Sequence, residues 1–310
     1  MILQNKKRVL VFGNQKVCIG CIEVLRKNPK INIGFVVGCE LPRDNTIGYP
    51  SVEKYCKKVG LTYYNPKLLD ETMFKRIKSY QPDFCFSFYY RNIFKENFIN
   101  LPTYGFINLH HSLLPKFRGP AATLWTLLNG ESITGATLLY IDRGIDTGDI
   151  IAQNKVNIPN NITGFQLNDL MMDKGVALFK DQLKLILENK NKRVKQGLSG
   201  ASYFGSYTPS VGLVDWHQSK LTIERKIRAL TRPYNGSYSY LRGKKIVIWN
   251  AEVLSKNLNT SGGPGRVMKN NNGTLTVTTV DGYIELLDYN IEGLSNKSRK
   301  FIRVGNRFDI

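Results

Sequence analysis

The sequence is short of acidic residues. Its 310 residues include 24 Asp and Glu against 44 Lys and Arg, which gives a formal net charge of +20. Such an excess suggests a polyanionic partner, and nucleic acid is the obvious candidate. The cations are spread along the chain, however, with small groups at 54–58 and 190–195. We therefore interpret most of them as a solvated surface, since a phosphorylated small substrate needs only a few, and expect no nucleic-acid partner.

Long hydrophobic runs are also missing. Hydrophobic residues make up 42% of the chain, yet no stretch approaches the ~20 apolar residues that a membrane helix needs. The sequence therefore predicts no membrane association. Near the start, the apolar run from Val9 to Phe12 is too short for the core of a signal peptide, so we expect a cytoplasmic location.

Cysteine is sparse. The five cysteines are odd in number and scattered through the first third, which favours reduced thiols over a disulfide framework. Cys18 and Cys21 have the spacing of half a zinc site or of a redox pair. No second Cys or His pair lies at ligand spacing, so we predict structural cysteines and no metal.

The first two-thirds of the chain alternates strands with helices, which favours an α/β fold with a parallel-rich sheet. The opening is Rossmann-like, but its glycines do not complete the dinucleotide fingerprint, so a nicotinamide site is not expected. The predicted strands are Arg8 to Gly13, Ile31 to Val37, Asp83 to Phe88, Gly105 to Leu109, Thr134 to Ile141 and Ile150 to Ile158. A long helix is predicted from Thr163 to Glu188, followed by a polar linker.

The last third of the chain is predicted to form a second domain. Single cores stop growing at about 250–300 residues, so we predict an N-terminal domain over 1–203 and a C-terminal domain over 204–310. After a short helix from Thr222 to Leu230, brief strands are predicted at Lys245 to Asn250, Gly265 to Met268, Thr274 to Val280 and Tyr283 to Asp288. With turns at Asn272-Gly273 and Asp281-Gly282, this pattern suggests a small barrel.

The most informative segment is Asn108-Leu109-His110-His111-Ser112-Leu113-Leu114-Pro115, followed by Gly144-Ile145-Asp146-Thr147-Gly148-Asp149. It supplies an amide, an imidazole and a carboxylate. An acyl-transfer site needs such groups. The amide donates a hydrogen bond to the developing oxyanion, the imidazole moves protons near neutral pH, and the carboxylate tunes the proton affinity of the imidazole. The segment resembles the 10-formyltetrahydrofolate-dependent formyltransferases, whose signature is Asn-x-His-x-Ser-Leu-Leu-Pro with a downstream Asp-x-Gly turn.

The resemblance implies both a fold and residue roles. The fold would be an N-terminal Rossmann-like formyltransferase domain with a small OB-like C-terminal β-barrel. Asn108 would donate to the oxyanion, His110 would handle the proton of the attacking amine, and Asp146 would favour the protonated imidazole. 10-Formyltetrahydrofolate would be the formyl donor and tetrahydrofolate the product. The expected folate-binding residues are Phe88, Tyr89, Tyr90, Arg91, Ser112, Leu113, Leu114, Pro115, Asp142, Arg143, Gly144 and Ile145.

The same resemblance bears on two further histidines. The family usually has a small residue after the catalytic histidine, so the resemblance carries over no role for His111. It would be a neighbour that tunes the site or contacts substrate, with a purely structural role as the alternative. His217 is expected to be structural or exposed.

Two other sequence segments resemble the branch of this family that formylates nucleotide-linked amino sugars. The segments 87–92 and 227–236 resemble that branch, including the domain that acts on UDP-4-amino-4-deoxyarabinose. Arg228 and Arg232 would engage a diphosphate and Tyr234 would pack on the base or sugar, although cations at a helix C-terminus also suit its dipole. Pro120 replaces a folate-contacting Arg of the arabinose enzyme, which weakens that specific assignment.

The preferred substrate is therefore dTDP-4-amino-4,6-dideoxyglucose, for O-antigen or lipopolysaccharide biosynthesis. The alternatives are a UDP-4-amino-4-deoxyarabinose or dTDP-3-amino sugar formyltransferase, a methionyl-tRNA formyltransferase, which the net charge favours, and a non-catalytic nucleic-acid-binding protein on this fold. Related sugar enzymes are often dimers, so a homodimer is expected on that resemblance alone.

Overall fold

A computed structural model of the chain describes residues 6–40, 48–255, 263–271, 273–294 and 301–309. The chain divides into two compact units. The first comprises Met1–Thr123, Ile133–Asn157 and Asn168–Ser206, and the second comprises Leu124–Ser132, Ile158–Leu167 and Tyr207–Ile310. Two short segments from the N-terminal part thus belong to the second unit. The division predicted between 203 and 204 stays a prediction.

Up to residue 187 the chain alternates strands and helices. In order these are β1 (Lys7–Gly13), α1 (Gln15–Arg26), β2 (Ile31–Val37), α2 (Val52–Val59), β3 (Tyr63–Tyr64), α3 (Glu71–Tyr80), β4 (Phe84–Phe88), α4 (Glu96–Ile99), β5 (Gly105–His110), α5 (Ala122–Leu128), β6 (Ile133–Tyr140), β7 (Ile150–Asn157) and α6 (Gly164–Leu187). The predicted α/β class is confirmed.

The first unit is built on a seven-stranded sheet of order β3-β2-β1-β4-β5-β6-β7. The strands from β3 to β5 are parallel, whereas β6 and β7 are antiparallel to their neighbours. The sheet is thus parallel-rich, as predicted. The chain order reverses between β1 and β4, and ligands of open α/β sheets bind beyond the carboxyl ends of the strands at such a point.

Burial explains why β1 and β4 lie at the centre of the sheet. All five residues of β4 are buried, as are the last five of β1, which is typical of parallel strands covered on both faces. The two strands approach closely at Gly13, where a Cβ atom would lie 2.1 Å from the Phe88 carbonyl oxygen. The rings of Phe12, Phe94 and Phe106 pack together on one face, and each buried Phe contributes about 1.5–3 kcal/mol.

The second unit contains α7 (Lys220–Leu230) and the strands β8 (Ser237–Leu241), β9 (Lys244–Val253), β10 (Val267–Asn271), β11 (Thr274–Thr279) and β12 (Gly282–Ile291). They form a separate antiparallel sheet of order β10-β11-β12-β9-β8. The Asp281-Gly282 hairpin was predicted, whereas strand β8 was not. Of the predicted Asn272-Gly273 turn, Asn272 lies outside the described residues.

Three observations concern the cysteines, membrane-spanning helices and metal-binding groups. The five cysteines are free and buried, as expected of structural thiols. No described helix is both long enough and apolar enough to cross a membrane. Within the described ranges, no group of three or more His, Cys, Asp or Glu side chains is arranged to hold a metal ion.

Candidate active site

Strand β5 carries both the amide side chain of Asn108 and the imidazole of His110. Asn108 and His110 are two positions apart, so they lie on the same face of the sheet. Asn108 is in register with Leu139 of β6, and His110 with Thr137. Asp146 lies in the segment between β6 and β7, 38 residues after Asn108, and its side chain contacts that of Asn108. The structure thus brings the three predicted catalytic residues together.

Asp146 lies at the centre of the group. Its Oδ1 atom accepts a hydrogen bond from Asn108 Nδ2 at 3.3 Å, and its Oδ2 atom lies 3.5 Å from His110 Nδ1. The backbone N–H of Gly119 donates to the same Oδ2 atom at 2.9 Å. The His110 and Asp146 side chains are only 10% and 15% exposed, which keeps their interaction from being screened fully by water. The carboxylate is therefore held on three sides.

The geometry also sets the tautomer of His110. Its Nε2 atom lies 2.8 Å from the backbone carbonyl oxygen of Phe117. Because a carbonyl oxygen only accepts, Nε2 must carry a hydrogen. In the neutral ring, Nδ1 then holds the lone pair and faces the Asp146 carboxylate. A proton taken up at Nδ1 therefore forms an ion pair with Asp146, which makes Nδ1 the basic atom of the site.

The backbone at Asp146 is in the left-handed region, with φ at 52°. This conformation costs a non-glycine residue about 1–2 kcal/mol, so the turn needs outside support. Gln196 provides it, because its Nε2 atom donates to the carbonyl oxygens of Asp146 and Gly148, at 2.8 Å each. We did not predict Gln196 from the sequence. It follows the basic run read as a linker, and only a family comparison could have marked it.

The Ser112–Pro115 loop is fixed by its neighbours. Ser112 Oγ donates to the Lys116 carbonyl oxygen at 2.7 Å, and Thr137 Oγ1 donates to the Ser112 carbonyl oxygen at 2.7 Å. Gln153 Nε2 donates to the Leu114 carbonyl oxygen at 2.9 Å and to Thr137 Oγ1 at 2.8 Å. These contacts hold the loop that follows β5 in one shape. The folate role predicted for 112–115 is compatible with this rigidity.

The predicted folate-binding residues 88–91, at the end of β4, differ in how far their side chains are buried. Phe88 is fully buried against Phe179 of α6, with ring centroids 4.9 Å apart, so its side chain is part of the core. Tyr89 has φ at 61° and ends the strand with a sharp turn. The Tyr90 ring stacks on Phe94 at 5.0 Å, and the Arg91 N–H donates to Cys39 Sγ at 3.4 Å. The Tyr89 side chain is half-buried and the Arg91 side chain is exposed, so a ligand at this edge of the sheet would meet these two side chains.

The turn from Asp142 to Ile145 is exposed and self-supported. Asp142 Oδ1 accepts from the Gly144 N–H at 3.0 Å and from Thr147 Oγ1 at 2.6 Å. Arg143 forms an ion pair with Glu96 of α4, and the Ile145 side chain is half exposed. This turn leads directly into Asp146. The folate role predicted for 142–145 stays a prediction.

His111 points to the opposite face of the sheet. A Cβ atom built on Gly175 of α6 would lie 3.1 Å from His111 Nε2, so the ring packs against the backbone of this helix. Among the described residues, Nε2 has no hydrogen-bond partner. Burial, together with the charge of His110, lowers the pKa of His111 to about 3. His111 is therefore neutral at physiological pH, and whether it tunes the site stays a prediction.

The predicted nucleotide-binding residues belong to the second unit. Arg228 donates to Glu224 through Nε and Nη2, at 2.8 and 3.3 Å, and through Nη1 to the Ile162 carbonyl oxygen at 2.6 Å. Arg232 is more open. Its Nη1 atom donates to Asp288 at 2.7 Å, its guanidinium lies 4.3 Å from the Trp249 ring centroid, and its side chain is 57% exposed. Arg228 is thus occupied in structural contacts, whereas Arg232 is accessible to a ligand.

Two further predicted residues can be placed. Tyr234 packs close to Gly164, where a Cβ atom would lie 3.2 Å from the Tyr ring. The His217 side chain is 51% exposed and lies 3.5 Å from Asp215, in keeping with a surface position.

Sequence comparisons give consistent matches along the chain. A family model described as formyl transferase matches residues 4–186, and a model described as formyl transferase, C-terminal domain, matches residues 207–300. The chain is 36% identical over 257 residues to the bifunctional polymyxin resistance protein ArnA of Wigglesworthia glossinidia brevipalpis. The match covers 82% of this chain but only 39% of that protein's length.

Comparison with solved structures gives the same fold. WlaRD, a sugar 3N-formyl transferase solved in the presence of dTDP and 5-N-formyl-THF, has a TM-score of 0.70 at 21% identity and covers 94% of this chain and 100% of its own. An N-formyltransferase from Helicobacter canadensis, in complex with folinic acid and dTDP-3-aminofucose, has a TM-score of 0.72 at 20% identity, with coverages of 92% and 100%. A 4-N formyltransferase from Francisella tularensis has a TM-score of 0.64 at 21% identity, with coverages of 78% and 96%.

Proposed function

We propose, from the premise that this chain belongs to the formyl transferase family, that it transfers a formyl group from 10-formyltetrahydrofolate to the amine of a nucleotide-linked amino sugar. The sequence prediction of a formyltransferase is confirmed by that membership. The observation that carries the proposed activity is the convergence of Asn108, His110 and Asp146 at one end of β5. These three residues provide what formyl transfer to an amine requires.

Asn108 stabilises the oxygen that becomes negative when the amine attacks the formyl carbon. Its Nδ2 atom carries two hydrogens, and the described contacts engage one of them, with Asp146 at 3.3 Å. The second hydrogen is the one that would donate to the formyl oxygen. Removing one such preorganised donor from an acyl-transfer site lowers turnover by about 10²–10³-fold.

His110 receives the proton that the attacking amine must lose. Because Nε2 already donates to Phe117, the proton goes to Nδ1, and the positive charge that forms there lies 3.5 Å from the Asp146 carboxylate. Attack forms the new C–N bond, and collapse breaks the bond between the formyl carbon and the folate nitrogen. The proton held at Nδ1 can then return to the leaving nitrogen. His110 thus serves as base and then as acid.

Folate binding is assigned first to the segment that follows β4. The Phe88 side chain is occupied by the core and its carbonyl oxygen accepts from the Asn14 N–H at 3.1 Å, so the half-buried Tyr89 and the exposed Arg91 would provide the contacts here. The loop at 112–115 and the turn at 142–145 would form the rest of this site. In the second unit, Arg232 and Tyr234 would bind the nucleotide, whereas the contacts of Arg228 with Glu224 and Ile162 favour a structural role.

The preferred acceptor is dTDP-4-amino-4,6-dideoxyglucose, and the product would serve O-antigen or lipopolysaccharide synthesis. The likeness to sugar formyltransferases supports an amino-sugar acceptor, and those relatives include both 3-N and 4-N enzymes. One observation favours a second candidate, because a net charge of +20 suits the phosphates of methionyl-tRNA. The free, buried cysteines support a reducing, cytoplasmic compartment. A homodimer is also proposed, and light scattering tests it.

The test is formyl transfer from 10-formyltetrahydrofolate, followed as release of tetrahydrofolate. The acceptors are dTDP- and UDP-linked 3-amino and 4-amino sugars, with methionyl-tRNA assayed in parallel. Turnover with dTDP-4-amino-4,6-dideoxyglucose above the other sugars is the expected result. Turnover restricted to methionyl-tRNA would replace the acceptor and keep the catalytic trio, whereas no turnover with any acceptor would contradict the proposal.

A further inference from the structure

We infer that Gln196 is a positioning residue for the carboxylate of the trio. The side-chain amide of Gln196 donates to the carbonyl oxygens of Asp146 and Gly148, at 2.8 Å each. Both acceptors belong to the turn that carries Asp146. One side chain from a distant part of the chain, 50 residues beyond Asp146, therefore fixes this turn at two points.

The turn needs fixing because the Asp146 carboxylate has a demanding position. Its backbone is left-handed, with φ at 52°, and its two oxygens must face Asn108, His110 and the Gly119 N–H together. Rotation of the peptide unit at Asp146 would swing both the carbonyl and the carboxylate. Gln196 holds the carbonyl while Gly119 holds the carboxylate, so the two contacts restrain the same residue from different sides.

Arg118 fixes the orientation of Gln196. Its Nη2 and Nε atoms donate to Gln196 Oε1 at 2.7 and 3.2 Å, and its Nη1 donates to the Tyr203 hydroxyl at 2.5 Å. A guanidinium group only donates, so the carbonyl end of Gln196 must face Arg118 and the amide end must face the turn. The residue that follows Arg118 is Gly119, whose backbone N–H donates to Asp146 Oδ2. Arg118, Gln196, Asp146 and Gly119 thus form a closed ring of contacts.

A simpler role for Gln196 has to be separated from this one. Arg118 is only 2% exposed, and no carboxylate among the described residues pairs with it. A buried cation needs its hydrogen bonds satisfied, so Gln196 could serve the fold by accepting from Arg118 alone. The two roles use opposite ends of the same amide. A substitution that keeps the acceptor and removes the donor tells them apart.

Gln196→Glu is that substitution. The glutamate still accepts from Arg118, and adds an ion pair with it, but it places a carboxylate oxygen against the carbonyls of Asp146 and Gly148. If Gln196 only satisfies Arg118, the variant is as active as the wild type. If Gln196 positions the turn, kcat falls by about 10- to 100-fold, as for other misplacements of about 1 Å. The KM for the amino sugar then stays within about threefold, because the residues proposed to bind its nucleotide belong to the second unit.

A second readout does not depend on turnover. Displacing Asp146 weakens the hydrogen bond from the Gly119 N–H, so exchange of the Gly119 amide hydrogen should be at least about tenfold faster in Gln196→Glu. This part of the inference stands apart from the proposed function. A wild type inactive on every acceptor would overturn the proposed function while leaving the exchange test intact.

The experiment compares the full chain as wild type, Gln196→Glu, Gln196→Met and the control Asn270→Asp. Asn270 Nδ2 also donates to a backbone carbonyl, that of Ile302 at 2.7 Å, but in the second unit, so kcat and Gly119 exchange should stay at wild-type values in the control. If Gln196→Glu does not fold, Gln196→Met is compared with Gln196 in an Arg118→Met background, where no guanidinium needs the amide oxygen, so a fall in kcat and faster Gly119 exchange then report the lost donor alone. Wild-type kcat together with unchanged Gly119 exchange in the folded variant would overturn the inference.

Discussion

The buried state of His111 makes a quantitative prediction about stability and pH. The ring is 8% exposed, packs on the α6 backbone at Gly175 and has a pKa lowered to about 3. In the unfolded chain the pKa of a histidine is about 6.5. Between these two values the unfolded state binds a proton that the folded state does not. Stability is therefore fully present above about pH 6.5 and is lost as the pH falls toward 3.

The size of the effect follows from the two pKa values. At pH 5 the unfolded state gains about 2 kcal/mol from protonation of this one residue, since each unit below 6.5 is worth about 1.4 kcal/mol. At pH 7.5 the same contribution is close to zero. The free energy of unfolding should therefore fall by about 2 kcal/mol through His111 alone when the protein is moved from pH 7.5 to pH 5.

The assay is urea unfolding at these two pH values for the wild type and for His111→Leu. Other groups titrate in the same range, so the informative quantity is the difference between the pH effects in the two proteins. We expect the variant to lose about 2 kcal/mol less than the wild type. The control is His217→Leu, whose exposed side chain lies in the second unit and should leave the wild-type loss unchanged. Equal losses in wild type and His111→Leu would refute the buried, neutral histidine.

Further substitutions test the other parts of the account. Asp146→Asn keeps the side-chain shape but removes the charge beside His110, so kcat should fall by about 10²–10⁴-fold; a kcat within tenfold of the wild type would contradict its role. Arg232→Ala should raise KM for the nucleotide sugar more than KM for the formyl donor, whereas equal shifts in the two KM values would indicate a structural role. Arg228→Ala should lower the melting temperature with little change in either KM, because its contacts are with Glu224 and the Ile162 carbonyl; a selective rise in KM for the nucleotide sugar would contradict that assignment. Gly13→Ala should destabilise the protein by more than about 1 kcal/mol, since its Cβ would lie 2.1 Å from a β4 carbonyl oxygen, and an unchanged free energy of unfolding would contradict this close approach.

Asn108, His110 and the parallel part of the sheet were predictable because their signals are local. Apolar runs such as Val9 to Phe12 indicate buried strands, and Asn108 and His110 are close enough in sequence to share one face of β5. The prediction of Asp146 depended on the resemblance to a family, because nothing in the sequence of its turn indicates that its side chain contacts residues of β5. The structure brings all three together, at the distances given above.

Other features depend on contacts that no local pattern encodes. The antiparallel pairing of β6 and β7 follows from which strands meet in space, and alternating hydrophobicity does not distinguish it from parallel pairing. Strand β8 was missed because Tyr238 and Tyr240 were not recognised as the alternate positions of a strand. Gln196 acts through two backbone carbonyls that are 50 and 48 residues away in sequence, so its role is visible only in the fold.

The central claim is that Asn108, His110 and Asp146 catalyse formyl transfer to a nucleotide-linked amino sugar. The most direct measurement is the rate of tetrahydrofolate release from 10-formyltetrahydrofolate with such a sugar, for wild type and His110→Ala in parallel. The account predicts turnover by the wild type and a loss of about 10²–10⁴-fold in the variant, with the fold retained by circular dichroism. Equal rates in the two proteins would contradict it.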